Sequence, residues 1–295
     1  MADLIKIAVD AMGGDNSPNK VINGIIHNHK KNKGNFFKIF GDKNKIISLL
    51  KDEIESRYYE IIHTENLVLS TDSPLEAAKK GKDTSMWLAI ESVKKKEADI
   101  VISAGNTGAL LVIAKLNLKM IQDIDKPALS ALWPNKNGMS VVLDLGANIE
   151  CSSKNLFDFS IMGASLYTSL YPEKKPNIGL LNIGSEELKG NETIKETFKI
   201  LSNKKSENYD FAGYIEGNQI MDGEINVIIS DGFTGNIALK TAEGTANFIF
   251  KELKKAMTGS ILGVNNTNVD NLQFNYRSES TLVTRAANQH VLITL

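Results

Sequence analysis

Residues 5–15 of this 295-residue chain read IKIAVDAMGGD, an apolar run that stops on a polar turn containing two glycines. The same arrangement recurs at four later places, where a short apolar run ends in a turn rich in Asp, Asn, Ser and Gly. These turns lie at residues 103–108, 144–148, 182–186 and 230–236. Turns that follow parallel strands emerge at the carboxyl edge of a sheet, where open α/β folds bind ligands. We therefore expect all five turns to line one polar crevice at one edge.

The segments between the turns alternate between helix and strand patterns. After the first turn, Val21, Ile22, Ile25 and Ile26 recur at helical spacing, and residues 36–40 form the next strand-like apolar run. This alternation with short connections is typical of a parallel sheet covered on both faces. The sequence therefore predicts an α/β fold, a three-layer α/β/α sandwich with a mostly parallel sheet.

Composition narrows the class of protein. The 34 Lys and Arg residues nearly balance the 35 Asp and Glu residues, so no overall basic charge favours nucleic acid. Cys151 is the only cysteine, which excludes an internal disulfide and argues against a thiolate metal site. The first residues do not resemble a signal peptide, and the most apolar stretch, residues 109–118, is too short to span a bilayer. These features predict a cytoplasmic protein without a metal.

The turns favour anion binding without a protein nucleophile. The four histidines, His27, His29, His63 and His290, all lie outside the turns, so Ser-His-Asp catalysis is not expected. Neither the dinucleotide-binding glycine motif nor the ATP phosphate loop occurs in any turn. Backbone N–H groups at glycine turns and helix starts hold anions and stabilise charge that develops on a carbonyl oxygen. Inorganic phosphate would then be a suitable nucleophile supplied by the substrate.

Each turn taken alone has a simpler interpretation. Gly13–Gly14 would serve as a tight connection, Asp10 or Asp144 as a helix cap, and Lys189 as a surface residue. Core packing, however, does not require five polar turns after five strands. Their joint occurrence therefore favours a functional site.

Seven motifs resemble those of the bacterial acyl-ACP:phosphate acyltransferases, the PlsX family, and together they cover residues 5–258. Residues 82–86, KDTSM, resemble the family's Lys-Asp-Ser-Ser-Met, and residues 144–148, DLGAN, resemble its Asp-Val-Gly-Ala-Asn. The other five are AVDAMGGD at 8–15, SAGNTGAL at 103–110, GLLNIG at 179–184, KGNE at 189–192 and DGFTGN at 231–236.

The resemblance implies transfer of a fatty acyl group from the thioester of acyl carrier protein to inorganic phosphate. The acyl phosphate would be used by a membrane glycerol-3-phosphate acyltransferase in phospholipid synthesis. The resemblance also implies a homodimer, no cofactor, and a fold like that of isopropylmalate dehydrogenase and phosphotransacetylase. Two alternatives stay open: a short-chain enzyme that uses acyl-CoA, and an inactive relative with an altered C-terminus that acts only as a binding protein.

The resemblance further implies the site residues. The expected catalytic residues are Asp10, Asn106, Lys189 and Asp231. The expected substrate-binding residues are Gly13, Gly14, Asp15, Ser103, Gly105, Thr107, Gly108, Asp144, Asn148, Asn182, Gly184, Asn191, Gly232 and Asn236. In this hypothesis glycine amides and polar side chains hold phosphate and the thioester carbonyl, while the aspartates orient these donors or accept a proton.

The end of the chain departs from the family pattern. Residues 263–295 are rich in Asn and lack the strand–helix alternation found upstream. The sequence therefore predicts an α/β acyltransferase domain at residues 1–262 and a divergent, poorly packed tail at 263–295. The preceding helix carries Phe248, Ile249 and Phe250 beside several lysines, a pattern suited to peripheral contact with the inner face of the membrane or to a dimer or core contact.

Overall fold

The computed structural model describes residues 4–258, 281–286 and 289–294, which form one eleven-stranded sheet and eight α-helices. The strands are β1 (Ile5–Asp10), β2 (Asn35–Gly41), β3 (Tyr59–His63), β4 (Ile100–Ser103), β5 (Leu129–Asn135), β6 (Gly138–Leu143), β7 (Asn177–Asn182), β8 (Asp210–Glu216), β9 (Val227–Ile229), β10 (Thr281–Ala286) and β11 (Gln289–Thr294). The helices are α1 (Asn19–Lys31), α2 (Lys43–Leu50), α3 (Pro74–Lys80), α4 (Ser85–Lys94), α5 (Thr107–Leu118), α6 (Ser153–Leu170), α7 (Glu192–Asn203) and α8 (Gly232–Thr258).

The strand residues alternate between two cores, one on each face of the sheet. Ile7 and Val9 of β1 pack in one core with α1 and α2, while Ala8 between them packs in another with α4 and α5. In the other half of the sheet, Leu143 packs against α6 and α7, and Val142 belongs to the core that includes α8. Helices therefore cover both faces, which confirms the predicted three-layer α/β/α fold.

The sheet consists of two parallel halves that run in opposite directions. Its strand order is β3-β2-β1-β4-β10-β11-β5-β6-β9-β7-β8. Strands β1 to β4 are parallel to one another, and so are β6 to β9. Between the halves, β10 is antiparallel to both β4 and β11, β11 is parallel to β5, and β5 pairs antiparallel with β6. The second half therefore runs antiparallel to the first, although most neighbouring pairs are parallel.

This topology corrects the expectation of one crevice at one edge. The turns after β1 and β4 lie at one edge of the sheet, and those after β6, β7 and β9 lie at the opposite edge. The prediction failed because the sequence reading missed β5. That strand forms a hairpin with β6 and reverses the direction of every later strand up to β9.

The predicted tail, residues 263–295, includes β10 and β11, which pair with β4 and β5. The rest of that segment, residues 263–280, 287–288 and 295, lies outside the described residues. The division of the chain after residue 262 thus stays a prediction.

Candidate active site

The turns after β1 and β4 form one unit, which we name the first turn pair (residues 10–15 and 103–108). Asp10 and Ser103 are register partners at the ends of these strands. A Cβ atom on Gly13 would lie 2.8 Å from the backbone nitrogen of Gly105. Gly14 has a φ of +84°, and a Cβ atom there would overlap the carbonyl oxygen of Ala104. The two backbones therefore approach so closely that only glycine fits.

The carboxyl group of Asp10 connects the two turns of this pair. Its side chain is buried, with 1% of its surface exposed. Ser103 Oγ donates a hydrogen bond to Asp10 Oδ2 at 2.7 Å, and the Met12 N–H donates to Asp10 Oδ1 at 3.2 Å. The Gly105 N–H in turn donates to Ser103 Oγ at 3.1 Å. One carboxyl group thus fixes both turns.

The surroundings of Asp10 also set its acidity. Burial raises the pKa of Asp10, because a carboxylate away from water is less stable than the neutral acid. The hydrogen bonds from the Ser103 hydroxyl and the Met12 N–H oppose this rise in pKa, as does the N–H group of Gly13. Asp10 does not lie at the surface where a substrate would bind, so its effect on chemistry is through the turns.

Helix α5 begins within the first turn pair. Asn106 caps it, because Asn106 Oδ1 accepts the Ala109 N–H at 3.0 Å. Asn106 Nδ2 donates to the carbonyl oxygens of Asp72 at 3.0 Å and Ser70 at 3.3 Å, which fixes the cap against the loop before α3. The first N–H groups of a helix have no partner within it, so those of Thr107 and Gly108 are available to an anion.

The turns after β6, β7 and β9 form the second turn group (residues 144–148, 182–191 and 230–236). At its centre Asp144 has no exposed surface. Asp144 Oδ1 accepts the N–H groups of Leu129, Ala147 and Gly146 at 2.9, 3.0 and 3.2 Å. Asp144 Oδ2 accepts the N–H and Nδ2 of Asn148 at 2.8 and 2.7 Å. Burial raises the pKa of Asp144, and the hydrogen bonds from Leu129, Ala147 and Asn148 oppose that rise.

The turns at 144–148 and 231–236 also pack on each other. The Gly232 N–H donates to the Asn148 carbonyl oxygen at 2.8 Å, and a Cβ on Gly146 would lie 3.6 Å from the Asn236 side chain. Asp231 caps α8, since its carboxylate accepts the Thr234 N–H at 2.8 Å and the Thr234 hydroxyl at 2.9 Å. The carboxylate of Asp231 therefore occupies the start of α8.

The turn after β7 presents a lysine. Asn182 Nδ2 donates to the carbonyl oxygens of Gly184 and Lys189 at 3.1 Å each, which closes the loop. Asn191 then caps α7 by accepting the Ile194 N–H at 2.9 Å. The Lys189 side chain is exposed. An exposed cation is thus carried by a turn whose base is closed by the Asn182 hydrogen bonds.

Cys151 is unsuited to be a nucleophile. Burial, with a contribution from Asp144, raises the pKa of its thiol to about 11, so little thiolate exists near neutral pH. Its Sγ donates to the Asn148 carbonyl oxygen at 3.7 Å. Across the described part of the chain, no three His, Cys, Asp or Glu side chains are grouped as metal ligands.

The structure therefore places the site residues predicted from the sequence in two sets, one in each half of the sheet. It brings Asp10, Gly13–Asp15 and Ser103–Gly108 together, and it separately brings Asp144–Asn148 together with Asp231–Asn236. Asn182, Gly184, Lys189 and Asn191 belong to the same edge as the second of these sets. Met12, whose N–H donates to Asp10, was not among the predicted site residues, although its place in the motif at 8–15 was a signal for it.

A family model described as fatty acid synthesis protein matches residues 5–281. Among curated proteins, a phosphate acyltransferase of Pelagibacter ubique is 69% identical over 263 residues, which cover 89% of this chain and 79% of that protein. A phosphate acyltransferase of Maricaulis maris is 44% identical over 267 residues, covering 89% of this chain and 75% of that protein.

Two solved structures share the fold. The phosphotransacetylase EutD from Staphylococcus aureus has a TM-score of 0.60 at 13% identity and covers 83% of each chain. A branched-chain phosphotransacylase from Enterococcus faecalis has a TM-score of 0.51 at 13% identity, covering 99% of this chain and 92% of that one. The match over residues 5–281 and the 69% identity lead to one conclusion: the chain belongs to the fatty acid synthesis protein family, the PlsX family.

Proposed function

We propose that this chain is a phosphate acyltransferase, which moves a fatty acyl group from the thioester of acyl carrier protein to inorganic phosphate. The observation that carries the proposal is the 69% identity with the phosphate acyltransferase of Pelagibacter ubique. Acyl carrier protein as the donor is supported by the description of the family as fatty acid synthesis proteins and by the motifs at 8–15 and 103–110.

In this proposal the first turn pair holds the phosphate. Its helix α5 has a neutral amide, Asn106, as its cap, so the cap itself brings no negative charge to the positive end of the helix dipole. The start of α8 in the second turn group is already occupied by the carboxylate of Asp231. An anion is therefore more stable at the first turn pair, near the N–H groups of Gly14, Thr107 and Gly108.

The chemistry requires no covalent intermediate on the protein. A phosphate oxygen attacks the thioester carbonyl carbon, forming a C–O bond, and the C–S bond breaks. The sulfur leaves with the electron pair as a thiolate and takes up a proton. Backbone N–H groups stabilise the negative charge on the carbonyl oxygen in the transition state. Asp10 orients these groups, and we assign Lys189 and Asp231 to binding of the donor.

The proposal includes partners and location. The acyl phosphate is passed to a membrane glycerol-3-phosphate acyltransferase, and the enzyme is a cytoplasmic homodimer. Helix α8 exposes Phe248, Ile249 and Leu253, by 65%, 57% and 49%, a surface suited to a second copy or to peripheral membrane contact. Along the described helices, none is both long and apolar enough to cross a bilayer.

The direct test is an assay of the purified chain with acylated carrier protein and phosphate. Hydroxylamine traps acyl phosphate as a hydroxamate, and a thiol reagent measures the freed carrier. We expect one hydroxamate for each thiol, both dependent on phosphate, and little product from a short-chain acyl-CoA. Faster turnover of acyl-CoA would favour the short-chain enzyme, and carrier binding without product would indicate a binding protein. A chimera with the C-terminus of the Pelagibacter ubique relative is the matched comparison.

A further inference from the structure

The segment that connects β3 to the first turn of α3 carries three exposed leucines, and we name it the leucine loop (residues 64–75). Leu67, Leu69 and Leu75 have 38%, 52% and 66% of their surface exposed. Val68, by contrast, is buried in the core that includes α4 and α5. Exposed apolar side chains are usually scattered singly over a protein, whereas these three belong to one short segment. The leucine loop is therefore a candidate binding surface.

The motif at residues 82–86 holds the beginning of the leucine loop. Thr64 Oγ1 donates to the Asp83 carbonyl oxygen at 2.7 Å, and Asn66 Nδ2 donates to Asp83 Oδ2 at 2.6 Å. The Ser85 N–H donates to the Asn66 carbonyl oxygen at 3.0 Å. This motif therefore fixes the loop where it leaves β3.

The first turn pair holds the other end of the leucine loop. Asn106 Nδ2 donates to the carbonyl oxygens of Ser70 and Asp72. A Cβ atom on Gly108 would lie 2.8 Å from Pro74 Cγ, so the start of α3 lies directly against the start of α5. The N–H groups at the start of α5, which the proposed function assigns to phosphate, are therefore next to the leucine loop.

The position of the phosphate determines where the acyl chain begins. An attacking phosphate oxygen must lie about 3 Å from the thioester carbonyl carbon, so the first carbons of the chain lie at the first turn pair. Ile183 and Leu188 are also exposed, by 80% and 88%, but they belong to the second turn group at the opposite edge of the sheet. The leucine loop, in contrast, contacts the first turn pair directly.

We propose that the leucine loop binds the acyl chain of the donor, and that Leu69 and Leu75 determine the preference for a long chain. This inference rests on the proposed function, because it takes the first turn pair as the phosphate site. The thioester carbonyl lies at that pair, and the chain runs from it over the leucines. Since hydrogen bonds fix the loop at both ends, the leucines are in place before the donor binds, and less conformational entropy is lost on binding.

The first test compares the chain-length preference of Leu69→Gln and Leu75→Gln with that of Leu116→Gln. Leu116 is a matched control, since 58% of its surface is exposed and it lies near the far end of α5. For each variant, kcat/KM is measured with a palmitoyl and with a butyryl group on the same carrier protein. The ratio of the two values should fall about tenfold in Leu69→Gln and Leu75→Gln, because only the long chain loses apolar contact. It should stay within about twofold of wild type in Leu116→Gln.

Conservative variants separate apolar contact from a change of shape. Leu69→Met and Leu75→Met keep an apolar side chain of similar volume and should keep the ratio close to that of wild type. A ratio that is unchanged in both glutamine variants would overturn the inference. So would a ratio that falls when Ile183 or Leu188 is replaced by Gln, because the chain would then lie at the opposite edge of the sheet.

A second readout does not depend on catalysis. A long-chain acyl phosphonate resembles an acyl phosphate but has a C–P bond in place of the reactive anhydride bond, and a diazirine on its chain labels the residues that the chain contacts. We expect label within residues 64–75, reduced in Leu69→Gln and Leu75→Gln and unchanged in Leu116→Gln. If wild type makes no acyl phosphate, the proposed function fails, and the label still locates the chain. Label at residues 182–191, or none at residues 64–75, overturns the inference.

Discussion

The two halves of the sheet carry the same arrangement at opposite edges, with different groups around the central aspartate. In the first half, Asp10 ends β1 and receives the hydroxyl of Ser103 from β4. In the second half, Asp144 follows β6, and Ser230 after β9 donates to the backbone carbonyl oxygen of Asp144 at 3.2 Å instead of to its carboxylate. The carboxylate of Asp144 accepts hydrogen bonds from four backbone N–H groups and one side-chain amide.

From this difference we infer that Asp144 has a structural role, whereas the hydrogen bonds around Asp10 can rearrange. Backbone N–H groups have fixed directions and only donate, so the Asp144 network holds one shape. Hydroxyl groups rotate and both donate and accept, so the Asp10 network tolerates a change of charge nearby. We therefore expect substitutions in the second turn group to affect mainly stability and those in the first turn pair to affect mainly phosphate use.

The largest effect is expected on folding. Asp144→Ala leaves several N–H groups without an acceptor and should lower the free energy of unfolding by about 3–5 kcal/mol. Asp10→Ala leaves fewer hydrogen-bond donors without an acceptor, so it should lower the free energy of unfolding by about 2 kcal/mol. Urea denaturation of both variants checks the order. An equal or larger loss for Asp10→Ala would contradict the assignment of Asp144 as the structural aspartate.

The next comparison uses two glycines with positive φ. Gly14 (φ +84°) has no room for a Cβ beside Ala104, whereas Gly146 (φ +132°) has its nearest neighbour at 3.6 Å. Gly14→Ala should raise the KM for phosphate about 100-fold by displacing the first turn pair, while Gly146→Ala should change it only a few-fold, through backbone strain. Initial rates at varied phosphate measure both. A larger effect of Gly146→Ala would place the phosphate in the second turn group.

A smaller difference is expected between the two predicted polar catalytic residues. Asn106→Ala removes the α5 cap and its contacts to the loop before α3, and should lower kcat/KM for phosphate about tenfold at a cost of about 1 kcal/mol in stability. Lys189→Ala should change kcat/KM for phosphate less than threefold and raise the KM for acyl carrier protein. Full activity in both variants would remove them from the site.

The pH dependence of stability tests whether the pKa of Asp10 is raised in the native state. Its raised pKa means that the native state binds the proton more tightly than the unfolded state. The contribution is therefore favourable below the ordinary value of 3.8 and declines as the pH rises through the native pKa. The stability of wild type relative to Asp10→Asn should fall as the pH rises from 3.8 through the native pKa. Parallel curves from urea denaturation would show that the native pKa of Asp10 is not raised.

The smallest effect is expected at Cys151. With a thiol pKa of about 11, it should react slowly with iodoacetamide at pH 7.5, and Cys151→Ala should keep acyl phosphate formation within about twofold. Loss of activity in this variant with unchanged folding would mean that the protein supplies a nucleophile.

The sequence predicted local secondary structure well, but it predicted the relative direction of the strands less well. Helix α1 and strand β2 follow directly from the helical spacing of apolar residues at 21–26 and from the apolar run at 36–40. Strand β5 was missed because Pro134 and mixed polarity weaken its pattern, although Asn137–Gly138 before β6 is a recognised hairpin signal. Strand β8 was also missed. Missing β5 placed all turns at one edge.

The turns that form the candidate site could be predicted from the sequence, but the contacts between their residues could not. The resemblance to family motifs singled out Asn106, Asn191 and Asp231 as site residues, and the structure shows that each of them caps a helix. The hydrogen bond of Ser103 to Asp10 joins residues 93 positions apart through the pairing of β4 with β1, and no local pattern encodes it. The engagement of Asn106 Nδ2 by Ser70 and Asp72 likewise depends on tertiary structure.

The most direct measurement is to locate the anion itself. Arsenate resembles phosphate and scatters X-rays anomalously, so a crystal of this protein grown with arsenate would mark the site. We predict an anomalous peak within hydrogen-bond distance of the N–H groups of Gly14 and Thr107, weakened in competition with phosphate. A peak at the start of α8 or beside Lys189, with none at the first turn pair, would contradict the account.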